Sequence, residues 1–190
     1  MKKILVVDDT KNIRVMLTKC LQLEGYEVKA VENGKLALEQ VDRENFNLIM
    51  MDIKMPELSG TEVLRQMRQR GIMTPVIIMT AYGTIKNAVD TTQLGAIAYL
   101  QKPFRADKIA KLLAQFEAQN LIDDINKQLE AIKDQLDEGL YEQSIKRLKE
   151  LLKVDSLNAN IYYLLYEAYK AMNEEKNAKK YLALYESIKE

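Results

Sequence analysis

Five polar residues in this sequence have the side chains that phosphoryl transfer at a divalent cation requires. Asp8, Asp9, Asp52, Thr80 and Lys102 each stand at the end of a short apolar run or just beyond it. The runs read ILVV (4–7), LIMM (48–51), VIIM (76–79) and AYLQ (98–101). If these runs are parallel strands of one sheet, their carboxyl ends share one edge, and the five side chains gather there.

The residue types at this edge match the needs of a phosphorylation site. Mg²⁺ prefers hard oxygen ligands in a near-octahedral shell and keeps some of its waters. One or two aspartates can hold the ion, while another attacks phosphorus and forms an acyl phosphate. Because the transferred phosphoryl group carries negative charge on its equatorial oxygens, a lysine ammonium and a hydroxyl donor can stabilise it.

Each of these residues also has a purely structural interpretation. Asp8 and Asp9 could cap the following helix, Asp52 could be a turn residue, and Thr80 could simply end a strand. Lys102 could lie in an ordinary loop. The occurrence of all of them at strand ends favours the functional interpretation.

Alternating strands and helices position these residues. Strands are predicted at 4–7, 26–31, 48–51, 76–79 and 97–100, and helices at 11–24, around 36–41, around 63–67, at 84–94 and from about 109. Five βα units of this length predict an α/β fold with a parallel sheet covered on both faces. Since neither glycine nor proline occurs from Arg105 to Glu138, the last helix is expected to continue into the C-terminal region.

The C-terminal region carries no strand signal and is predicted to be entirely helical. Apolar residues repeat there at 3-4-3-4 spacing, namely Ile122, Ile125, Leu129, Ile132 and Leu136. Further helices are predicted at 141–154, 159–172 and 174–189, with breaks at Gly139, Asp155-Ser156 and Asn173. We therefore predict two domains, residues 1–118 and residues 119–190.

Four stretches of the first domain resemble the receiver domain of bacterial response regulators. They are ILVVDD (4–9), LIMMDIKMPELSG (48–60), VIIMTAYG (76–83) and AYLQKPF (98–104), in the order and spacing of that family. The sequence is most similar to small receivers of sporulation-type phosphorelays and to receivers of enhancer-binding regulators. The resemblance implies a flavodoxin-like (βα)5 fold with strand order 2-1-3-4-5.

The resemblance also implies a role for each residue of the site. Asp52 is the expected phosphoryl acceptor, and Mg²⁺ is expected at Asp8, Asp9, Asp52 and the backbone carbonyl of Lys54. The side chains expected to stabilise the phosphoryl group or to switch with it are Thr80, Lys102 and Tyr99. The Lys102-Pro103 bond is expected to be cis.

Residues 139–187 are similar to tetratricopeptide repeats. The matching positions are Gly139, Tyr141, Ser144, Leu148, Leu151 and Asp155 in one unit, and Tyr162, Leu165, Tyr169, Ala178, Leu182 and Tyr185 in the next. Ser156 stands where such a unit usually ends in proline. Three functions stay open for this region: a groove for a peptide or helix of an unknown partner, a homodimer through a coiled coil over 122–136, or a bundle that packs only on itself.

The composition excludes several other classes of function. The chain has no histidine, one cysteine and a formal net charge of zero, so neither a zinc site nor an intrachain disulfide is expected. A neutral chain with a mildly acidic C-terminal region is not expected to bind nucleic acid. No apolar stretch is long enough to cross a bilayer, and Met1 lies too close to the first strand for a signal peptide. We expect a cytoplasmic protein without membrane contact.

A response regulator takes its phosphoryl group from a phosphohistidine on a sensor histidine kinase or a histidine phosphotransfer protein. We expect no enzymatic activity beyond Mg²⁺-dependent phosphorylation and dephosphorylation of the chain itself. The alternative is a Mg²⁺-dependent phosphohydrolase on a similar sheet, with Asp52 or Asp8 as the nucleophile. Such enzymes usually place a second aspartate two residues after a nucleophile on the first strand, where this sequence has Thr10.

Overall fold

A computed structural model describes residues 1–81 and 92–189 of the chain. The chain forms two compact units, Met1–Ala114 and Gln115–Glu190. The domain boundary predicted between residues 118 and 119 falls a few positions beyond this division. The helix predicted over 84–94 lies almost wholly outside the described residues.

The first unit is built on a five-stranded parallel sheet with the order β2-β1-β3-β4-β5, which confirms the predicted fold. The strands are β1 (Lys3–Val7), β2 (Glu27–Val31), β3 (Leu48–Asp52), β4 (Val76–Thr80) and β5 (Ala96–Gln101). The apolar residues of β1, β3 and β4 are completely buried. Continuous apolar runs of this kind are typical of central parallel strands with both faces covered.

The helices of the first unit begin and end where the sequence offers local signals. They are α1 (Lys11–Leu23), α2 (Gly34–Arg43), α3 (Gly60–Gln69) and α4 (Ala106–Asp137), which continues into the second unit. The side chains of Asn33 and Ser59 cap α2 and α3 by accepting hydrogen bonds from Leu36 N and Glu62 N. Gly25 follows α1 with a φ of 86°, a left-handed conformation that favours glycine.

The register of the strands brings the polar strand ends together. Val7 pairs with Met51, so Asp8 and Asp52, the next residues of the two strands, become neighbours. Asp52 in turn pairs with Met79, the residue before Thr80. The aligned carboxyl ends of β1, β3 and β4 therefore form one polar edge.

Arg68 of α3 connects the loops at the opposite, amino-terminal ends of β4 and β5. Its guanidinium donates hydrogen bonds to Ile72 O (2.6 Å), Thr74 O (3.2 Å), Leu94 O (3.1 Å) and Gly95 O (3.2 Å). Burial lowers the pKa of Arg68. We call this arrangement the Arg68 clamp.

The second unit is an all-helical bundle with its own apolar core. Its helices are the C-terminal part of α4, then α5 (Tyr141–Val154), α6 (Ala159–Ala171) and α7 (Glu175–Lys189). Four of the five residues at 3-4-3-4 spacing are buried in this core, namely Ile125, Leu129, Ile132 and Leu136, whereas Ile122 is 50% exposed. Within the described residues, no helix is long and apolar enough to span a membrane.

Candidate functional site

Three aspartates meet at the carboxyl edge of the sheet. Carboxylate oxygens of Asp8, Asp9 and Asp52 lie within 4.8 Å of one another. Asp8 is completely buried and Asp52 is 5% exposed, whereas Asp9 faces solvent. Groups of this kind suit a hard divalent cation, because several oxygen ligands converge while one side remains open to water.

Lys102 supplies the positive charge at this cluster. Its Nζ lies 2.7 Å from Asp8 Oδ2 and 3.0 Å from Asp52 Oδ2. A backbone hydrogen bond from Lys102 N to Thr80 O (2.8 Å) fixes the start of this loop against the end of β4. One ammonium therefore touches both buried carboxylates.

Two opposing effects, burial and hydrogen bonding, set the pKa values of Asp52 and Lys102. Burial raises the pKa of Asp52, although its hydrogen bond with Lys102 acts in the opposite direction. For Lys102, burial lowers the pKa, but the hydrogen bonds with Asp8 and Asp52 outweigh burial and raise the pKa above its usual value. The lysine therefore stays charged at neutral pH.

Backbone and side-chain hydrogen bonds orient the first two aspartates. Asp8 Oδ1 accepts from Thr10 N (2.9 Å), and Asp9 Oδ1 accepts from Thr10 Oγ1 (3.2 Å). Arg14 Nη1 donates to Asp8 O (2.8 Å) and Asp9 O (2.9 Å). The N-cap of α1 is Thr10, so neither aspartate occupies the N-cap position of this helix. The Thr10 side chain makes no capping hydrogen bond.

The end of the loop after β3 packs directly against the backbone of Asp52. Gly60, the first residue of α3, donates a hydrogen bond to Ile53 O at 2.9 Å. A Cβ atom at Gly60 would lie 2.0 Å from Asp52 O. Within the loop, Glu57 has a φ of 63° and its carboxylate lies 2.6 Å from Lys35 Nζ. A side chain at position 60 would therefore displace the backbone that carries the Asp52 carboxylate.

The remaining predicted site residues occupy the neighbouring strand ends. Thr80 is buried at the end of β4. Tyr99 on β5 is partly buried against the sheet core, with its hydroxyl 3.4 Å from Thr92 Oγ1. A backbone hydrogen bond from Lys54 reaches Asp52, and the Lys102-Pro103 bond is cis. The roles of Thr80 and Tyr99, and of the Lys54 carbonyl as a metal ligand, stay predictions.

Sequence reasoning missed three features of this site. Arg14 contacts Asp8 and Asp9 only through their backbone oxygens. Since every residue has a backbone oxygen, no pattern of side chains in the sequence indicates this contact. Gly60 belongs to the stretch 48–60, but only the structure shows its contact with Asp52. The ion pair between Lys102 and Asp8 joins residues 94 positions apart and depends on the strand register. The one feature of the sequence that marks Gly60 is its position directly after Ser59, a residue type that commonly caps the start of a helix.

The chain belongs to the response regulator receiver domain family, which it matches over residues 4–114. This finding confirms the receiver resemblance of the first domain. The fold, the aspartate cluster and the paired lysine all lie within the matched residues. The helical second unit lies outside the match.

Several proteins are similar to this chain over little more than half of its length. Regulatory protein AtoC of Escherichia coli is 40% identical over 107 residues, 56% of this chain and 23% of AtoC. Sporulation initiation phosphotransferase F of Bacillus subtilis is 36% identical over 115 residues, 60% of this chain and 93% of that protein. Response regulator protein TrrA of Thermotoga maritima, solved in complex with Mg²⁺-BeF, is 37% identical with a TM-score of 0.55 and covers 60% of this chain and 98% of TrrA.

Proposed function

We propose that this chain is a response regulator of a two-component or phosphorelay pathway. Asp52 accepts a phosphoryl group from a phosphohistidine on a sensor histidine kinase or a phosphotransfer protein. The helical second unit carries the output through protein–protein interaction. The observation that carries the proposal is Asp52 itself, buried at the end of β3 and within 3.0 Å of the Lys102 ammonium.

The donor set fits Mg²⁺ better than a softer metal. Only carboxylates converge among the ligating side chains of the described residues, and Mg²⁺ prefers such hard oxygens. Asp8, Asp9 and Asp52 would hold the ion together with the Lys54 carbonyl. When bound, Mg²⁺ neutralises charge on the phosphoryl oxygens during transfer. The TrrA structure with Mg²⁺-BeF supports this assignment for a similar receiver.

The protein's own residues perform the rest of the transfer. A carboxylate oxygen of Asp52 attacks phosphorus, and the bond from phosphorus to the donor nitrogen breaks. Lys102, which pairs with Asp8 and Asp52 beforehand, neutralises the incoming phosphoryl charge. Thr80 donates its hydroxyl to a phosphoryl oxygen. Tyr99 reorients with Thr80 and carries the change to β5.

The site supports a phosphoryl acceptor more strongly than a phosphohydrolase. Thr10, two residues after Asp8, points its amide and hydroxyl hydrogens at Asp8 and Asp9 and offers no acid for a leaving group. We therefore propose that the chain is not an enzyme toward external substrates. Its chemistry is limited to gain and loss of its own phosphoryl group.

The second unit supports a tetratricopeptide-like arrangement. Gly139 and Asn173 fall at equivalent positions of the repeat, and both are left-handed, with φ of 81° and 58°. Ser144 and Ala178, equivalent small residues, are both buried. Since most of the predicted coiled-coil positions are buried within the chain, a homodimer would need another surface. Output through a partner protein is therefore the function we propose.

Phosphorylation of the full chain tests this proposal. Acetyl phosphate with Mg²⁺ is expected to add one phosphoryl group, mapped to Asp52 by mass spectrometry after borohydride reduction. Chelation of the cation should prevent labelling, because the carboxylates would then repel the phosphate donor. Steady release of inorganic phosphate from unrelated phosphomonoesters would instead favour the phosphohydrolase.

Mg²⁺ is expected to stabilise the chain against heat. Bound ligand raises stability by mass action, by about 2.7 kcal/mol at a hundredfold excess over Kd. Thermal melts with and without millimolar Mg²⁺ should show one transition moving upward. Asp9→Ala should remove this shift, because Asp9 is the exposed ligand and its loss leaves the buried core intact. The same shift in Asp9→Ala as in the wild type would contradict the assigned site.

A further inference from the structure

A continuous groove runs between α4 and α6 within the second unit. Two adjoining cavities of about 360 and 530 Å³ share Lys133, Leu164 and Glu167 in their walls. From Asn126 to Asp137 the α4 wall extends about 16 Å at an α-helical rise. We call this feature the α4–α6 groove. It is long enough for several residues of a bound peptide.

The floor of the α4–α6 groove is apolar. Leu129 and Leu136 of α4 and Leu164 and Ala168 of α6 line it, and all four are buried side chains of the unit's core. Ala168 is small and leaves depth between its larger neighbours. An apolar side chain placed there would lose contact with water, which favours binding.

The rim of the groove carries an excess of negative charge. Its charged residues are three carboxylates and one ammonium, namely Glu130, Asp137, Glu167 and Lys133. Within residues 92–189, neither Glu130 nor Asp137 forms an ion pair. Their carboxylates are therefore available to a cationic partner, and an acidic partner would be repelled.

Tyr163 offers an aromatic face next to one of these carboxylates. Its hydroxyl donates to Glu167 Oε1 at 3.0 Å, and the residue is 38% exposed. Contacts with Tyr166 and Tyr185, at centroid distances of 6.0 and 5.3 Å, hold the ring in place. A guanidinium can stack on such a ring and pair with the adjacent carboxylate at the same time.

We infer that the α4–α6 groove binds a segment of another protein in which arginine or lysine side chains alternate with apolar ones. This inference rests on the proposed output function and names the chemistry of the partner. Apolar side chains enter the floor, and the cations meet Glu130, Glu167 and the Tyr163 ring. Asn126 and Asn160 line the same groove and supply amide groups that can pair with a peptide backbone.

Selection from a library of random short peptides tests the inference on the full chain. Peptides enriched by the wild type should carry arginine or lysine beside apolar residues. For one of the enriched peptides, prepared by synthesis, fluorescence anisotropy should show binding that weakens with added salt. The double variant Glu130→Gln/Glu167→Gln should weaken binding about tenfold or more, since charge-assisted hydrogen bonds are lost. Glu186→Gln, an exposed carboxylate on α7 outside the groove, is the matched control and should bind normally.

Three results would overturn the inference. They are enrichment of acidic or uncharged peptides, no enrichment at all, and equal affinity of the double variant and the wild type. A fourth contrary result is dimerisation of the wild type that the double variant abolishes, because a second copy of the chain would then occupy the groove. Labelling of Asp52 in the wild type separates the two proposals: normal labelling of a wild type that enriches no peptide rejects only the groove, whereas absent labelling of the wild type rejects the response regulator.

Discussion

Asp52→Asn is expected to abolish phosphorylation of the chain by acetyl phosphate and by any phosphohistidine donor. The substitution keeps the shape of the side chain but removes the carboxylate oxygen that attacks phosphorus. Asp8 is not expected to replace it, because Asp8 is completely buried and its carboxylate is bound by Lys102 and Thr10. Intact-mass spectrometry with Mg²⁺ present measures the result, and Asp42→Asn, an exposed carboxylate of α2, is the control that should label normally.

The fold of the variant can be checked in the same samples. Burial raises the pKa of Asp52 above its unfolded value, so ionisation of this group disfavours the folded state above that pKa. Neutral asparagine removes this penalty, and the melting temperature without Mg²⁺ should equal or exceed that of the wild type. Residual labelling of Asp52→Asn at Asp8 or Asp9 would overturn the assignment of the acceptor.

Gly60→Ala is expected to impair both stability and phosphorylation. The new Cβ would lie 2.0 Å from Asp52 O, and the obstacle is backbone rather than a flexible side chain. Overpacking of this kind costs about 1–3 kcal/mol. A displacement of about 1 Å at a reacting group can slow a reaction about a hundredfold. We expect a lower melting temperature for the transition that Mg²⁺ shifts, and a much slower rate of Asp52 labelling.

Gly34→Ala provides the matched comparison. Gly34 is also the first residue of a helix, and its Cβ would lie 2.5 Å from Val63 Cγ2 and 3.0 Å from Leu58 O. This variant should also lose stability, but the clash does not involve the Asp52 backbone. Equal loss of labelling rate in the two variants would mean that general destabilisation, not the position of Asp52, explains the Gly60 effect.

The parts of the receiver that depend on local pattern could be predicted from the sequence. Uninterrupted apolar runs predict the central strands, and Gly25 and Ser59 mark helix ends through backbone conformation and capping. The unbroken α4 followed from the absence of glycine and proline between Arg105 and Glu138. Parallel strands then bring Asp8 and Asp52 to one edge without further information.

Contacts made by backbone atoms, or between distant residues, could not be predicted. The Arg68 clamp uses carbonyl oxygens, which every residue possesses, so no residue type marks its partners. The left-handed conformation of Glu57 has no sequence signal, because glycine or asparagine would be expected there. In the second unit, the spacing of Ile125 and Leu129 fits a coiled coil and a helical bundle equally well. Only the packing partners distinguish the two.

The Arg68 clamp has a consequence for how the receiver can change shape. A guanidinium stays protonated at every physiological pH, so a change of pH does not remove the donors of these hydrogen bonds. The amino ends of β4 and β5 are thereby anchored to α3, while their carboxyl ends carry Thr80 and lead to Lys102. We therefore expect displacements set off at Asp52 to be larger at the carboxyl ends of β4 and β5 than at their anchored amino ends.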